Sequence, residues 1–321
     1  MNPVLQLIEV TKRFGSTVAL DRVSLAVPPG HVCAILGGNG AGKTTAIRTL
    51  LGYERQDSGV VSVLGMDPQR QPLEVRGRVG YVSDKPALYD WMTIGEIGWF
   101  TAGFYPTGFL DEFTRCVRRF GLEPKQKIKS LSKGGRAKVA LALSLAHSPS
   151  LLILDEPTSG LDPLVRREFL ESMIDLASEG RTVLISSHQV AEVERVADIV
   201  AILLNGRLVC FERLEDLKRS VREVSIPTNS VGLVPVPVTG RVLAHVARSD
   251  EHHYLVRDLD EASLRGACSE AGLSAPRIRH PSLEDILLAM LRDQRRTDEP
   301  VLQHDPWTTP AVAAETASLR A

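Results

Sequence analysis

The feature that most constrains this chain is the run Gly37-Gly38-Asn39-Gly40-Ala41-Gly42-Lys43-Thr44-Thr45. It fits G-x-x-x-x-G-K-[ST], and it stands between an apolar stretch, His31–Leu36, and a helical one, Thr44–Leu51. That is the strand–loop–helix context in which a glycine-rich turn binds phosphate. Glycines let successive N–H groups curl around one anion, and the helix N-terminus adds partial positive charge. Lys43 can then reach terminal phosphate oxygens, and the Thr44 hydroxyl can ligate Mg²⁺. A fold carrying this loop needs a buried parallel sheet with helices packed on it.

The rest of the first 220 residues fits that requirement. Short β-branched or apolar runs read as strands at Leu5–Val10, Val18–Val27, Val79–Val82, Leu151–Leu154, Thr182–Ser186 and Ile199–Leu204, with a helix at Gln189–Ala197. Asn205-Gly206 between apolar runs predicts a tight hairpin turn. After about Arg219 the composition shifts, with Pro227, Pro235 and Pro237 among valines. A strand at His252–Val256 and helices at Ser263–Ala271 and Ser282–Leu291 predict a small α+β extension over 220–292, the last helix capped by Ser282. The segment 293–321 is expected to stay disordered.

Three further motifs carry chemistry. Leu151-Leu152-Ile153-Leu154-Asp155-Glu156 is an apolar strand ending in two acids, 112 residues after Lys43. Asp155 suits Mg²⁺, and Glu156 suits activation of a water. Leu131-Ser132-Lys133-Gly134-Gly135-Arg136 places a serine and two glycines at a helix start, an anion-binding turn. His188 follows the next strand, where it can contact a terminal phosphate, and Ser159–Asp162 lies between.

Together these motifs resemble the nucleotide-binding subunit of an ABC (ATP-binding cassette) transporter, over about Leu5 to Glu212. The resemblance implies a P-loop ABC cassette over 1–219, a mixed sheet core with a helical subdomain at about 85–148. It implies ATP and Mg²⁺ as cofactors, with Gly37 to Thr45 as Walker A, Leu131 to Arg136 as signature and Asp155 as the end of Walker B. It further implies that Glu156, His188 and Lys43 are catalytic and that Ser132, Gly134 and Gly135 contact nucleotide. Phe14, a core residue by composition alone, matches the aromatic that stacks on adenine. Asp84 falls nearest the position where the family usually carries glutamine beside the metal; a carboxylate there can hold a metal-bound water. The signature departs from the common Leu-Ser-Gly-Gly-Gln, and Lys133 and Arg136 add positive charge expected close to the phosphates.

One phosphate loop and one signature imply a pair of subunits closing on two ATP, the second a copy or a paralogue. The stretch Tyr81–Tyr105 and Pro281-Ser282-Leu283-Glu284-Asp285 look most like bacterial ABC-2-type exporter ATPases. The resemblance therefore implies a separate transmembrane permease and a place at the cytoplasmic face of the cell membrane. Seven of the chain's 16 aromatic residues fall between Tyr89 and Phe109, as a partner-helix groove, a subdomain core or both would require. The longest strictly apolar run is six residues, Ile199–Leu204, against the roughly 20 a spanning helix needs. The N-terminus does not read as a signal peptide. Net charge is −1, which argues against a globally basic nucleic-acid binder. The competing reading is a non-transport ABC ATPase of translation or DNA repair. Translation types carry two cassettes, and repair types carry long insertions or zinc modules. This chain has one cassette, and Cys33, Cys116, Cys210 and Cys268 form no CxxC pair. They read as buried or incidental thiols. A non-catalytic cassette would need damage at Lys43, Asp155, Glu156 or His188, and all four are intact.

Overall fold

The computed structural model describes residues 2–227, 238–248 and 251–294. Pro235, Pro237 and the segment from 295 onward lie outside them. The chain divides between Leu208 and Val209 into two compact units, eleven residues earlier than the composition shift suggests.

In the first unit the elements run β1 (Leu5–Phe14), β2 (Thr17–Val27), β3 (Val32–Leu36), α1 (Lys43–Leu50), β4 (Ser58–Val63), α2 (Pro72–Arg78), β5 (Val79–Val82), α3 (Ile94–Ala102), α4 (Phe109–Arg119), α5 (Lys133–Leu145), β6 (Leu151–Asp155), α6 (Pro163–Ser178), β7 (Thr182–Ser187), α7 (Val190–Val196) and β8 (Ile199–Leu204). Strand β9 (Arg207–Arg213) begins here and continues into the second unit. The sequence pattern had not separated β4 or α2.

Two sheets form. β2, β1 and β4 make an antiparallel sheet, with β1 central. β5, β6, β7, β3 and β8 lie side by side in that order, all parallel where paired. Every residue of β3, β6, β7 and β8 is buried. This is why those strands read as continuous apolar runs rather than alternating ones. Parallel register fixes which strand ends meet: Leu36 pairs with Ser187, Asp155 with Ser186, and Val82 with Leu154. The carboxyl ends of β3, β5, β6 and β7 thus share one edge, where open α/β sheets bind ligands. Asn205 and Gly206 both take positive φ (49° and 79°), the left-handed pair a type I′ turn demands.

Helices α3 to α5 pack on one another within the first unit. Helix α3 opens on a reciprocal cap: Glu96 N–H donates to Thr93 Oγ1 at 3.2 Å, and Thr93 N–H donates to Glu96 Oε2 at 2.6 Å. Those bonds hold the exposed Glu96 carboxyl below its usual pKa range. Helix α4 buries Phe109, Phe113, Cys116 and Val117, one stripe at helical spacing. Gly98 of α3 admits the Phe113 ring; a Cβ there would fall 2.2 Å from its Cδ1. Gly98→Ala is therefore expected to destabilise the unit by about 1–3 kcal/mol of overpacking, outweighing roughly 1 kcal/mol of helix propensity gained. A thermal melt checks this, and an unchanged or raised Tm would refute the tight packing.

The second unit holds α8 (Leu214–Ser220), β10 (Val221–Pro227), β11 (Arg241–Ala247), β12 (Glu251–Arg257), α9 (Glu261–Glu270), β13 (Arg277–Arg279) and α10 (Leu283–Gln294). Its antiparallel sheet runs β11-β12-β10-β13. Val224, Ile226, Val256, Leu264 and Cys268 form its core. Asp260 caps α9, accepting from Ala262 N–H and Ser263 N–H. Ser282 caps α10, accepting from Asp285 N–H at 3.1 Å. Glu212, largely buried, meets Arg257 in a two-pronged ion pair at 3.0 and 2.8 Å.

All four cysteines are buried and free. Burial pushes the Cys33 thiol up to about 12, and Asp198 adds to the effect. Thiolate chemistry there is suppressed.

Candidate active site

The loop Gly37–Gly42 leaves the end of β3 and enters α1 at Gly42, whose φ is 103°. A Cβ on Gly42 would fall 2.5 Å from the Ala19 carbonyl oxygen, so both the dihedral and the space require glycine. No side chain caps α1. Its first N–H groups are thus left to whatever anion the loop receives.

Lys43 is only 6% exposed. Its ammonium donates to the carbonyls of Gly37 (2.7 Å) and Gly38 (3.2 Å) and lies 3.1 Å from Glu156 Oε1. Glu156 Oε2 lies 2.7 Å from His188 Nδ1. Since a carboxylate only accepts, that nitrogen carries the hydrogen. Glu156 therefore joins the lysine that opens α1 to the histidine beyond β7. Its own φ is 49°, an uncommon value for a side chain of this kind. Its N–H is held by the Ser186 carbonyl at 3.2 Å and the Ser186 hydroxyl at 2.9 Å.

Asp155, buried at the end of β6, accepts from Thr44 Oγ1 at 3.3 Å and from Ser186 Oγ at 2.6 Å. Four of the residues singled out from sequence (Lys43, Thr44, Asp155 and Glu156) thus meet directly, with His188 on the outer side. Burial pushes the Tyr81 phenol on neighbouring β5 up to about 12, and the nearby Asp155 carboxylate adds to the effect.

Ser186 was missed by sequence reasoning; a serine directly after the apolar run Val183–Ile185, at the carboxyl end of the strand, was the visible signal. A second unforeseen group is Glu192, buried in the first turn of α7. It accepts from Thr158 Oγ1 (2.6 Å) and Ser187 Oγ (3.1 Å) and pairs with Arg166 Nε at 3.1 Å. Arg166 also donates to the Leu161 carbonyl and to Gln189 Oε1. Thr158 to Asp162 is thereby tied to the segment that carries His188. Asp162 caps α6 through Val165 N–H.

The signature residues stand apart from this cluster. Ser132 caps α5, its hydroxyl accepting from Gly135 N–H at 3.1 Å. Gly134 lies against α6, where a Cβ would fall 2.7 Å from Val165 Cγ1. Arg136, expected to add charge near phosphate, donates within the chain to Asp90 Oδ1 at 2.6 Å and to the Ile128 carbonyl. Arg136 stands in the first turn of α5, behind the exposed Lys133, where it reaches the acid of the adjoining segment.

Phe14 closes β1 with its ring 47% exposed and Lys12 Nζ 4.9 Å from the ring centre. It is not the core residue its composition suggested. Asp84 lies two residues past β5, near the shared edge, and no hydrogen bond or ion pair joins it to Thr44 or Asp155 among the described residues. Near β5 a cavity of about 420 Å³ is lined by Tyr53, Arg76, Tyr81, Tyr105 and His147, among others. Burial holds His147 below its usual pKa.

A family model described as "ABC transporter" matches residues 20–159. The daunorubicin resistance ATP-binding protein DrrA2 of Streptomyces coeruleorubidus is 33% identical over 296 residues, 87% of this chain and 92% of that protein. The bacitracin transport ATP-binding protein BcrA of Bacillus licheniformis is 33% identical over 243 residues, 73% of this chain and 78% of the other. A probable multidrug ABC transporter ATP-binding protein of Escherichia coli, YbhF, is 36% identical over 220 residues; the chain spans 38% of its length. A solved ATP-binding subunit of an ABC transporter matches at 30% identity with TM-score 0.62, covering 67% of this chain and 92% of that one. Identity of 33% over 87% of this chain and 92% of DrrA2, on a fold that matches a solved ATP-binding subunit, makes the chain a member of the ABC transporter ATP-binding protein family.

Proposed function

We propose that the chain is the ATP-hydrolysing subunit of a transporter, acting in pairs around two ATP and driving a separate membrane subunit, in the export direction. The observation that carries the reading is the Lys43–Glu156–His188 chain set beside Thr44 and Asp155 at one sheet edge.

On this reading the loop from Gly37 through Gly38, Asn39, Gly40, Ala41 and Gly42 to Thr45 cradles the phosphates with backbone N–H groups. Lys43 releases Glu156 and takes up phosphate oxygens. Glu156, freed of the lysine, orients the attacking water and receives its proton, while His188 holds the carboxylate in place and reaches the terminal phosphate. Thr44 Oγ1 and Asp155 Oδ1 are hard oxygen donors on one spot, the type Mg²⁺ prefers. Among the described residues no group of three or more His, Cys, Asp or Glu forms a metal cage, which suits an ion completed by phosphates and water. Bound there, Mg²⁺ supplies neutralisation of phosphate charge. Asp84 serves it through water.

The exposed ring of Phe14 stacks on adenine. Ser132, Gly134 and Gly135 serve the nucleotide held by the second subunit. The cavity beside β5 receives a helix of the membrane subunit. Export is favoured by the likeness to proteins named for daunorubicin resistance and bacitracin transport. Among the described residues no helix is long and apolar enough to cross a membrane. The chain would then work at the cytoplasmic face, with no nucleic acid as partner.

Two measurements test the reading. ATP turnover per subunit should rise with protein concentration, because each site is completed by a second copy. A tagged full-length chain should co-purify in stoichiometric amount with one polytopic membrane protein, and should leave the membrane fraction when that protein is deleted. Absence of ATP turnover would sink the enzyme assignment; turnover with no such membrane partner would sink the transport assignment.

A further inference from the structure

The helical subdomain carries an aromatic surface that the cavity does not use. Trp91 (67% exposed), Trp99 (71%) and Phe104 (73%) are among the most open large side chains of the chain, with Tyr89 and Phe100 beside them. Tyr89 contacts both Trp91 and Phe100 at ring separations of 5.9 and 5.7 Å, and Phe100 contacts Phe104 at 5.5 Å. None of these rings lines the cavity beside β5. Trp91, Tyr89, Phe100 and Phe104 form a connected apolar patch in water, and Trp99 precedes Phe100 on α3.

The backbone explains why they face outward. Segment 90–94 pairs antiparallel with segment 126–129: Ile94 N–H donates to the Gln126 carbonyl, Ile128 N–H to the Met92 carbonyl, and Lys129 N–H to the Asp90 carbonyl, with Thr93 opposite Lys127. Met92, Ile94 and Ile128 are buried on the inner side. Alternation sends Trp91 and Lys127 to the outer side, and Lys127 donates to the Trp91 carbonyl at 2.9 Å. Lys125 and Lys129 are exposed on either side of it. The acids nearby are engaged: Asp90 is held by Arg136, and Glu96 by Thr93 N–H and Lys127. Glu123 stands at the margin. On a chain of net charge −1, this edge carries a small excess of cations, with Lys125 and Lys129 outside the Lys127–Glu96 and Arg136–Asp90 pairs.

The combination favours one class of partner. Protein interfaces enrich arginine with their aromatics and are depleted in lysine. Here the one arginine, Arg136, is partly buried and turned to Asp90, and the exposed cations are lysines, whose stems can lie along an apolar layer while the ammonium stays with headgroups. Exposed tryptophan with a lysine rim is the composition of a surface that settles into an anionic bilayer interface. We infer that the patch formed by Tyr89, Trp91, Trp99 and Phe104 with Lys125, Lys127 and Lys129 binds anionic lipid directly. The subunit would then touch the bilayer itself in addition to any membrane partner. The inference does not depend on the transport assignment, because its test needs no membrane subunit.

The test is co-sedimentation of the full-length chain with vesicles of phosphatidylcholine, with and without phosphatidylglycerol. Binding is expected to vesicles containing phosphatidylglycerol, to fall with added salt, and to shift tryptophan emission to the blue. Two of the chain's three tryptophans lie in the patch. The triple substitutions Trp91→Ala/Trp99→Ala/Phe104→Ala and Lys125→Gln/Lys127→Gln/Lys129→Gln should each lower the partition coefficient by at least about tenfold. Basal ATP turnover should stay unchanged, which shows that the variants are folded. Failure of the parent chain to bind anionic vesicles would overturn the proposal, as would binding undiminished in both variants. Protection of Trp91 and Trp99 from a quencher by a co-purified membrane protein, with no vesicle binding, would instead assign the patch to protein docking.

Discussion

Glu156→Gln is expected to lower ATP turnover by about 10²–10⁴-fold, the range of a lost general base, while leaving ATP binding intact. The amide matches the carboxylate in shape and can still meet His188 Nδ1, now 2.7 Å from Oε2. The unusual backbone at Glu156 rests on Ser186, which the substitution does not touch. On the proposed mechanism, what disappears is the acceptor for the proton of the attacking water. Binding without turnover should hold two subunits together, so size-exclusion chromatography with ATP should show a dimer that persists. That outcome is a population shift toward the state nucleotide favours. Turnover at the parental rate would remove Glu156 from the mechanism.

Lys43→Met is expected to weaken ATP binding by about 10²-fold or more. Truncating one partner of a buried, hydrogen-bonded charge pair costs about 2–5 kcal/mol, and each tenfold is about 1.4 kcal/mol. Methionine keeps most of the aliphatic stem, so the loss reports charge rather than packing. The variant should also melt earlier without nucleotide. Glu156, with its side chain 15% exposed, would lose the cation 3.1 Å away and keep only His188. Calorimetric titration with ATP reads the first effect and a thermal melt the second. Parental affinity in the variant would mean that the loop backbone alone supplies the binding.

The cluster's parts were legible in sequence to different degrees. Gly37 to Thr45 was readable because the loop is contiguous: its chemistry is a property of neighbouring backbone groups, and only glycine meets the dihedral at Gly42. Asp155 and Glu156 were readable because an apolar strand ends in them. His188 was placed at the right sheet edge, but its partner, 32 residues earlier in the chain, was not foreseen. Ser186 and Glu192 went unrecognised. Each looks like an ordinary polar residue until parallel register sets Ser186 against Asp155 and α7 turns Glu192 toward Thr158. Phe14 went the other way: an apolar side chain suggested burial, and its place at the end of an antiparallel pair left it open.

By itself, then, the sequence determined the fold class, the glycine-rich loop between β3 and α1, and the acids that end β6. These follow from short-range patterns, apolar runs and glycine dihedrals, that local physics enforces wherever they occur. Only the tertiary structure decided that Lys43 is held by Glu156, that Arg136 serves Asp90, and that Trp91 faces water with Lys127 beside it. Those outcomes depend on residues 36 to 113 positions apart meeting through sheet register and strand pairing, distances over which no local propensity acts.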